Sequence, residues 1–230
     1  MVDILPIGGS FMVYQSRIFH LFKPATTFYQ LQKAETIYSL KWRILLLFFL
    51  STVIFAVQGY YGIGSSSIST TLTLDPRNIY EWHKALFIIG KLLSGIAYAS
   101  CILFVPALLF NMMTEVSFYK LVVLQVFVLF ILLIEQITYI PLLLLLHLDW
   151  YSSPLSFGII GQYITKIPFL IALFGCISIF KIWGMYIQFT GLKVLSEMKR
   201  LPLFAIVFII NLLFWGISAL LTYMDFYRLL

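Results

Sequence analysis

Residues 44–62 read ILLLFFLSTVIFAVQGYYG, a run with no charged side chain and no alternation of apolar and polar positions. The hydrocarbon core of a bilayer is about 30 Å thick and takes roughly 20 helical residues to cross. The run therefore predicts a transmembrane helix. Residues 85–110, 121–146, 167–190 and 203–223 meet the same requirement. Membrane strands are excluded, because the runs are too long and lack the two-residue period. The expected fold is all-α: a polytopic membrane protein with five transmembrane helices. An N-terminal interfacial segment (1–43) precedes a five-helix domain (44–225).

Composition agrees. The 230 residues are 62% hydrophobic and 10% charged, with a mean hydropathy of +1.01, whereas an average soluble domain is about a quarter charged. A soluble fold would have to leave much of this Leu, Ile, Phe and Val on its surface. The net charge of +6 forms no basic stripe, so nucleic acid is not an expected partner. The basic residues instead cluster beside apolar segments, which reads as topology and contact with anionic headgroups. Cys101 and Cys176 lie inside apolar runs and read as small buried hydrophobes rather than a disulfide. No cleavable leader is expected, since the first long apolar run begins only near Ile44.

Orientation follows from the cations. Arg17, Lys23, Lys33, Lys41, Arg43, Lys120, Lys193, Lys199 and Arg200 fall on one side of the predicted spans. Arg77, Lys84, Lys91, Lys166 and Arg228 fall on the other. The positive-inside rule then gives a cytoplasmic N-terminus and an extracellular C-terminus. Phe11, Tyr14, Ile18, Leu21 and Phe22 recur at helical spacing before the first span, and Pro24 suits the start of a second short helix carrying Phe28 and Leu31. An amphipathic helix lying on the cytoplasmic leaflet is expected, with docking onto a partner protein as the alternative use of that face. On the outer side, Trp82, Trp150 and Tyr151 fit an interfacial aromatic belt and a contact surface.

Charges inside the spans are the most informative residues. Glu135 and Lys181 each fall near the middle of a predicted helix, where a lone charge is costly. They are expected to pair, with Gln136 and Tyr139 adding hydrogen bonds. The pair can fix helix register or line a proton or ion path, and Glu135 protonated beside Gln136 is the other arrangement. Lys91 sits far enough outward to snorkel. Pro106, Pro141 and Pro168 are expected to kink or shape their helices. Gly90, Ser94, Gly95 and Ala99 supply small residues for a close helix contact, within the chain or with a partner.

Motifs for catalysis are absent: no H-E-x-x-H, no G-x-S-x-G, no Walker A loop and no cysteine pair at metal spacing. His20, His83 and His147 lie in different segments. His83 and His147 with Glu81 and Asp149 are weak material for a metal site. Neither an enzymatic activity nor a cofactor is expected.

Two short motifs carry a resemblance. Pro24, Phe28 and Leu31 form P-x-x-x-F-x-x-L before the first span. Trp183, Gly191, Leu192 and Lys193 stand in a W-x-x-x-L-x-x-x-G-L-K pattern before the last, with Ile187 in place of its first Leu. Together they resemble the bacterial branch of the Yip (Ypt/Rab-interacting protein) family, over most of residues 20–225. The Asp-Leu-Tyr-Gly-Pro type motif of eukaryotic members is missing, so Rab-type GTPase binding is not carried over. Within the family the chain is most similar to a Bacillus-type branch that accompanies a MacB-like ABC exporter, in a system linked to protection against a secreted toxic peptide. The resemblance implies a non-catalytic accessory protein of the bacterial cell membrane whose partners are the exporter's permease and adaptor subunits, together with membrane lipids. The competing expectation is a small channel, transporter or lipid-handling protein built on the Glu135–Lys181 pair.

Overall fold

The structure, a computed structural model, describes residues 13–14, 24–33, 36–37, 40–63, 77–146 and 152–223. These residues are almost entirely helical: α1 (Pro24–Lys33), α2 (Leu40–Tyr60), α3 (Arg77–Met113), α4 (Phe118–Leu146), α5 (Gly158–Ile164), α6 (Pro168–Cys176), α7 (Ile179–Leu195) and α8 (Arg200–Tyr223). One parallel pairing, Val13 with Thr36 and Tyr14 with Ile37, brackets α1.

Four helices are long and apolar enough to cross a membrane: α2, α3, α4 and α8. Of the most apolar stretch of α4, 67% is buried by the rest of the protein, against 17–33% in the other three. Hence α4 is the central helix. Its Leu121 to Leu129 stretch is buried on every side, which explains why hydrophobic residues circle it without a polar face. The helices around it expose Leu45, Phe49, Leu86, Leu93, Phe208 and Leu213 outward, as lipid-facing helices do.

The predicted span over 167–190 is not a continuous helix. It divides into α6 and α7, with Ile177 (φ −90°, ψ 102°) and Ser178 (φ −114°, ψ 162°) extended between them. Ser178 competes with the helix for backbone partners, as serine does. Its Oγ accepts from the backbone N–H of Lys181 at 3.2 Å and so caps α7. The remaining groups at the break are satisfied by the segment that precedes α5. Phe157 N–H donates to Ile177 O at 2.9 Å, and Ile179 N–H donates to Leu155 O at 3.0 Å. Buried backbone outside a helix requires this kind of internal satisfaction. The pieces α5 and α6 fold back on each other, and a Cβ on Gly161 would come within 2.8 Å of Phe174 Cβ. Both α6 and α7 pack along α8.

The short helix α1 exists where Pro24 predicts it, but its apolar face does not lie open to a leaflet. Phe28 and Leu31 are buried in the bundle core. Phe28 meets Phe127 of α4 edge-on at 5.7 Å, and α1 packs on α7. Lys120 at the start of α4 donates from Nζ to Gln32 O at 2.7 Å, closing a carbonyl near the C-terminus of α1, where a cation is favoured. The periodic residues before Pro24, Phe11 to Phe22, lie outside the described side chains.

Candidate functional site

Polar side chains gather around the C-terminal half of α4. Glu135 is 1% exposed, and its Oε1 accepts from Tyr139 Oη at 2.8 Å. The partner lies one helical turn on, the spacing that brings two side chains of a helix together. The second carboxyl oxygen, Oε2, is fully buried and has no hydrogen-bond partner. Gln136 faces α2: Gln58 Nε2 donates to its carbonyl O at 2.9 Å and to its Oε1 at 3.1 Å. Pro141 has no N–H to offer the carbonyls of the preceding turn, and it is next to this loosened stretch that a glutamine from another helix bonds the backbone.

Lys181 is brought to this region but does not pair with Glu135. No ion pair within 4.0 Å joins them among the described residues, and the acid is held by Tyr139 instead. The break in the helix is the reason. Lys181 belongs to the first turn of α7, where Ser178 fixes its backbone, so its direction is set by a new helix and not by a continuous one. Cys176, the last residue of α6, lies within electrostatic reach of both Glu135 and Lys181.

A second polar string lies nearer the other end of α4, and sequence reasoning missed it. Asn211 of α8 donates from Nδ2 to Gln188 Oε1 at 2.6 Å, and Gln188 of α7 donates from Nε2 to Gln125 Oε1 at 3.2 Å. Gln125 Nε2 is buried without a partner. The available signal was an amide in each of three apolar runs, since isolated amides in membrane helices bond across helices.

The small residues of α3 divide between two faces. Gly95 lies in the seam with α2, where Ser51 Oγ donates to Gly95 O at 2.7 Å and a Cβ on Gly95 would come within 2.9 Å of Thr52 Cα. Ala99 is buried beside it. Gly90 has nothing within 4 Å of where its Cβ would be, and exposed Ser94 bonds only back to Gly90 O, at 2.8 Å. Trp82 is exposed as well. Trp150 and Tyr151 lie outside the described residues, as do His20, His147 and Asp149. Among the described residues no three His, Cys, Asp or Glu side chains gather as a metal site would require.

The two short motifs meet in space. A Cβ on Gly191 would come within 2.5 Å of Leu124 Cδ1 and 3.2 Å of the Phe28 ring, so the missing side chain is what lets α1 and α4 approach α7. Leu31 and Leu192 are fully buried in the same core as Phe28. Ile187, standing where the pattern has Leu, is buried there too. Trp183 packs at the edge of that core, and Lys193 is exposed. Pro24 opens α1.

Comparison with known proteins adds no relative: no family model matches the chain, and no curated protein or solved structure is similar to it.

Proposed function

We propose that this protein is a Yip-type accessory protein of a bacterial cell membrane, acting by binding other membrane proteins and not by catalysis. The observation that carries the reading is the joint between Phe28 and Leu31 on α1 and Gly191 and Leu192 on α7. Residues singled out as two separate motifs, far apart in the chain, serve one contact. The joint ties the N-terminal segment to the bundle, and Lys33 and Lys193, each two residues from it in the chain, are exposed. In this reading the chain crosses the membrane five times, the fourth crossing being made by α6 and α7 together. The packing of both pieces along α8 supports this count. The cation distribution supports a cytoplasmic N-terminus and an extracellular C-terminus.

The larger complex proposed is a MacB-like ABC exporter, with its permease and adaptor as partners and protection against a secreted toxic peptide as the physiological setting. The accessory chain would leave nucleotide hydrolysis to the exporter and assist its assembly. The test is affinity purification of the tagged chain from native membranes in mild detergent, with mass spectrometry of what accompanies it. Stoichiometric recovery of an ABC permease, its ATPase and an adaptor is the expected result. Recovery of this chain alone would overturn the reading and favour the transport alternative.

A further inference from the structure

The outward face of α3 carries a pattern that the bundle does not use. Ile79, Trp82, Leu86, Ile89, Leu93 and Ile96 follow one another at alternating steps of three and four residues, and each is 42–71% exposed. This is the a/d period of a contact between paired helices. The face turned away from the stripe is the one that packs on α2, where Lys91 and Gly95 lie against Gly59 and Thr52. Gly59 stands one residue before the end of α2 and close to Ile88 and Lys91, so the stretch of α3 ahead of that level has no α2 beside it. The stripe ends at Ile96, because the series then turns into the bundle, where Leu103 is fully buried.

Charge selects the occupant. The charged residues of α3 are Arg77, Glu81, Lys84 and Lys91. With Ile79 at position a, all of them fall at c or f, the positions turned away from the contact. The flanking e and g positions carry no fixed charge from His83 through Gly90 to Ala97. Copies inserted in one membrane share a topology, so a twofold axis along the membrane normal sets two α3 helices parallel. Each residue of an isologous contact on that axis meets its own counterpart. A charge anywhere on the line would face its like, and a line free of charge is what such a contact demands. A partner of different sequence would impose no such exclusion. Lipid accounts for an uncharged face within hydrocarbon, but Ile79 and Trp82 precede the apolar run and share their turns with Glu81, His83 and Lys84.

We propose that the outward face of α3 is the contact between two copies of this chain, a parallel twofold pair joined through the stripe from Ile79 to Ile96. The copies meet over the N-terminal half of α3 and diverge beyond Ile96. The pair does not depend on the accessory reading: recovery of exporter subunits neither requires nor excludes it.

The test is a cysteine scan of the full-length chain in its native membranes, on a Cys101→Ser, Cys176→Ala background, with copper phenanthroline as oxidant. Disulfide-linked dimers are expected for Trp82→Cys, Leu86→Cys, Ile89→Cys and Leu93→Cys, and none for Lys84→Cys and Lys91→Cys. In a second measurement, energy transfer between labelled copies in vesicles of increasing lipid dilution gives the dimer Kd. Trp82→Glu sets like charges against each other and removes an aromatic anchor, and should raise that Kd on the order of tenfold or more, whereas Lys84→Glu should leave it unchanged. No dimer at any stripe position, equal yields at Lys84→Cys and Lys91→Cys, or an unaltered Kd in Trp82→Glu overturns the proposal. A cross-linked adduct with a different protein overturns it as well and assigns the face to a partner of another sequence. The scan reads the contact on its own if Trp82→Glu fails to fold.

Discussion

Replacing Phe28 with alanine should release α1 from the bundle while leaving the bundle intact. The Phe28 ring is 1% exposed, stands edge-on to Phe127 at 5.7 Å and covers Gly191. Removing a phenyl ring from such a site costs about 3–5 kcal/mol, part of it the edge-to-face term of about 0.5–1.5 kcal/mol. The helix has 10 residues, below the roughly 12–15 at which isolated helices become marginal in water. Its persistence therefore depends on this contact together with Leu31 and the Lys120 bond to Gln32 O. At about 1.4 kcal/mol per tenfold change, the opening equilibrium of α1 should rise on the order of 10²–10⁴-fold. Hydrogen exchange of the protein in nanodiscs, read by mass spectrometry, measures this directly. Amides of residues 25–33 should exchange faster by that factor in Phe28→Ala, with amides of α4 unchanged. Unaltered protection of α1 would refute the reasoning, because the helix would then be held by something other than the ring.

The same joint predicts that Gly191→Ala costs about 1–3 kcal/mol through overpacking, seen as a lower thermal midpoint and faster α1 exchange. Gly90→Ala, at a site with open space, should leave stability unchanged or raise it by up to about 1 kcal/mol through helix propensity. Ser178→Ala removes the cap of α7 and should destabilise by about 0.5–2 kcal/mol, a loss that thermal unfolding in detergent would register and Ser178→Thr would partly restore. Gln188→Leu leaves Gln125 Oε1 without its donor and takes one of two acceptors from Asn211 Nδ2, which keeps Val207 O, and should cost about 1–3 kcal/mol. Changing all three to leucine should cost less than the single substitution, and an equal or greater loss in the triple variant would show that the string is not a unit.

The spans that hydropathy marks and the helices that form coincide at α2, α3, α4 and α8, because length and apolarity alone decide them. The break at Ile177 and Ser178 was not legible. It lies in an apolar run, and its hydrogen bonds come from Leu155 and Phe157, residues that no local window associates with it. For the site, the burial of Glu135 and its bond to Tyr139 follow from position and helical spacing, both readable in sequence. The failure to meet Lys181 follows from the break and was hidden with it. The placement of α1 was half legible: the spacing of Phe28 and Leu31 gave an apolar face but not its recipient. What receives it is the gap at Gly191, which only the assembled bundle reveals. Gln125, Gln188 and Asn211 were visible as amides in apolar runs, yet their mutual register depends on how α4, α7 and α8 rotate against one another.

The length of α3 has a mechanical consequence. Its 37 residues extend about 55 Å, whereas the hydrocarbon layer is about 30 Å thick. Near the start of α3, Glu81, His83 and Lys84 are exposed, and charged or polar groups of this kind are costly in hydrocarbon, so the surplus length is best accommodated at that end. The eight residues from Arg77 to Lys84, ahead of the apolar run, make a hydrogen-bonded rod of about 12 Å, a short lever. A tilt of about 10°, within the ordinary range of membrane helices, would sweep its tip sideways by about 2 Å. The seam at Ser51 and Gly95, where α3 lies close against α2, is what such a tilt would have to accommodate.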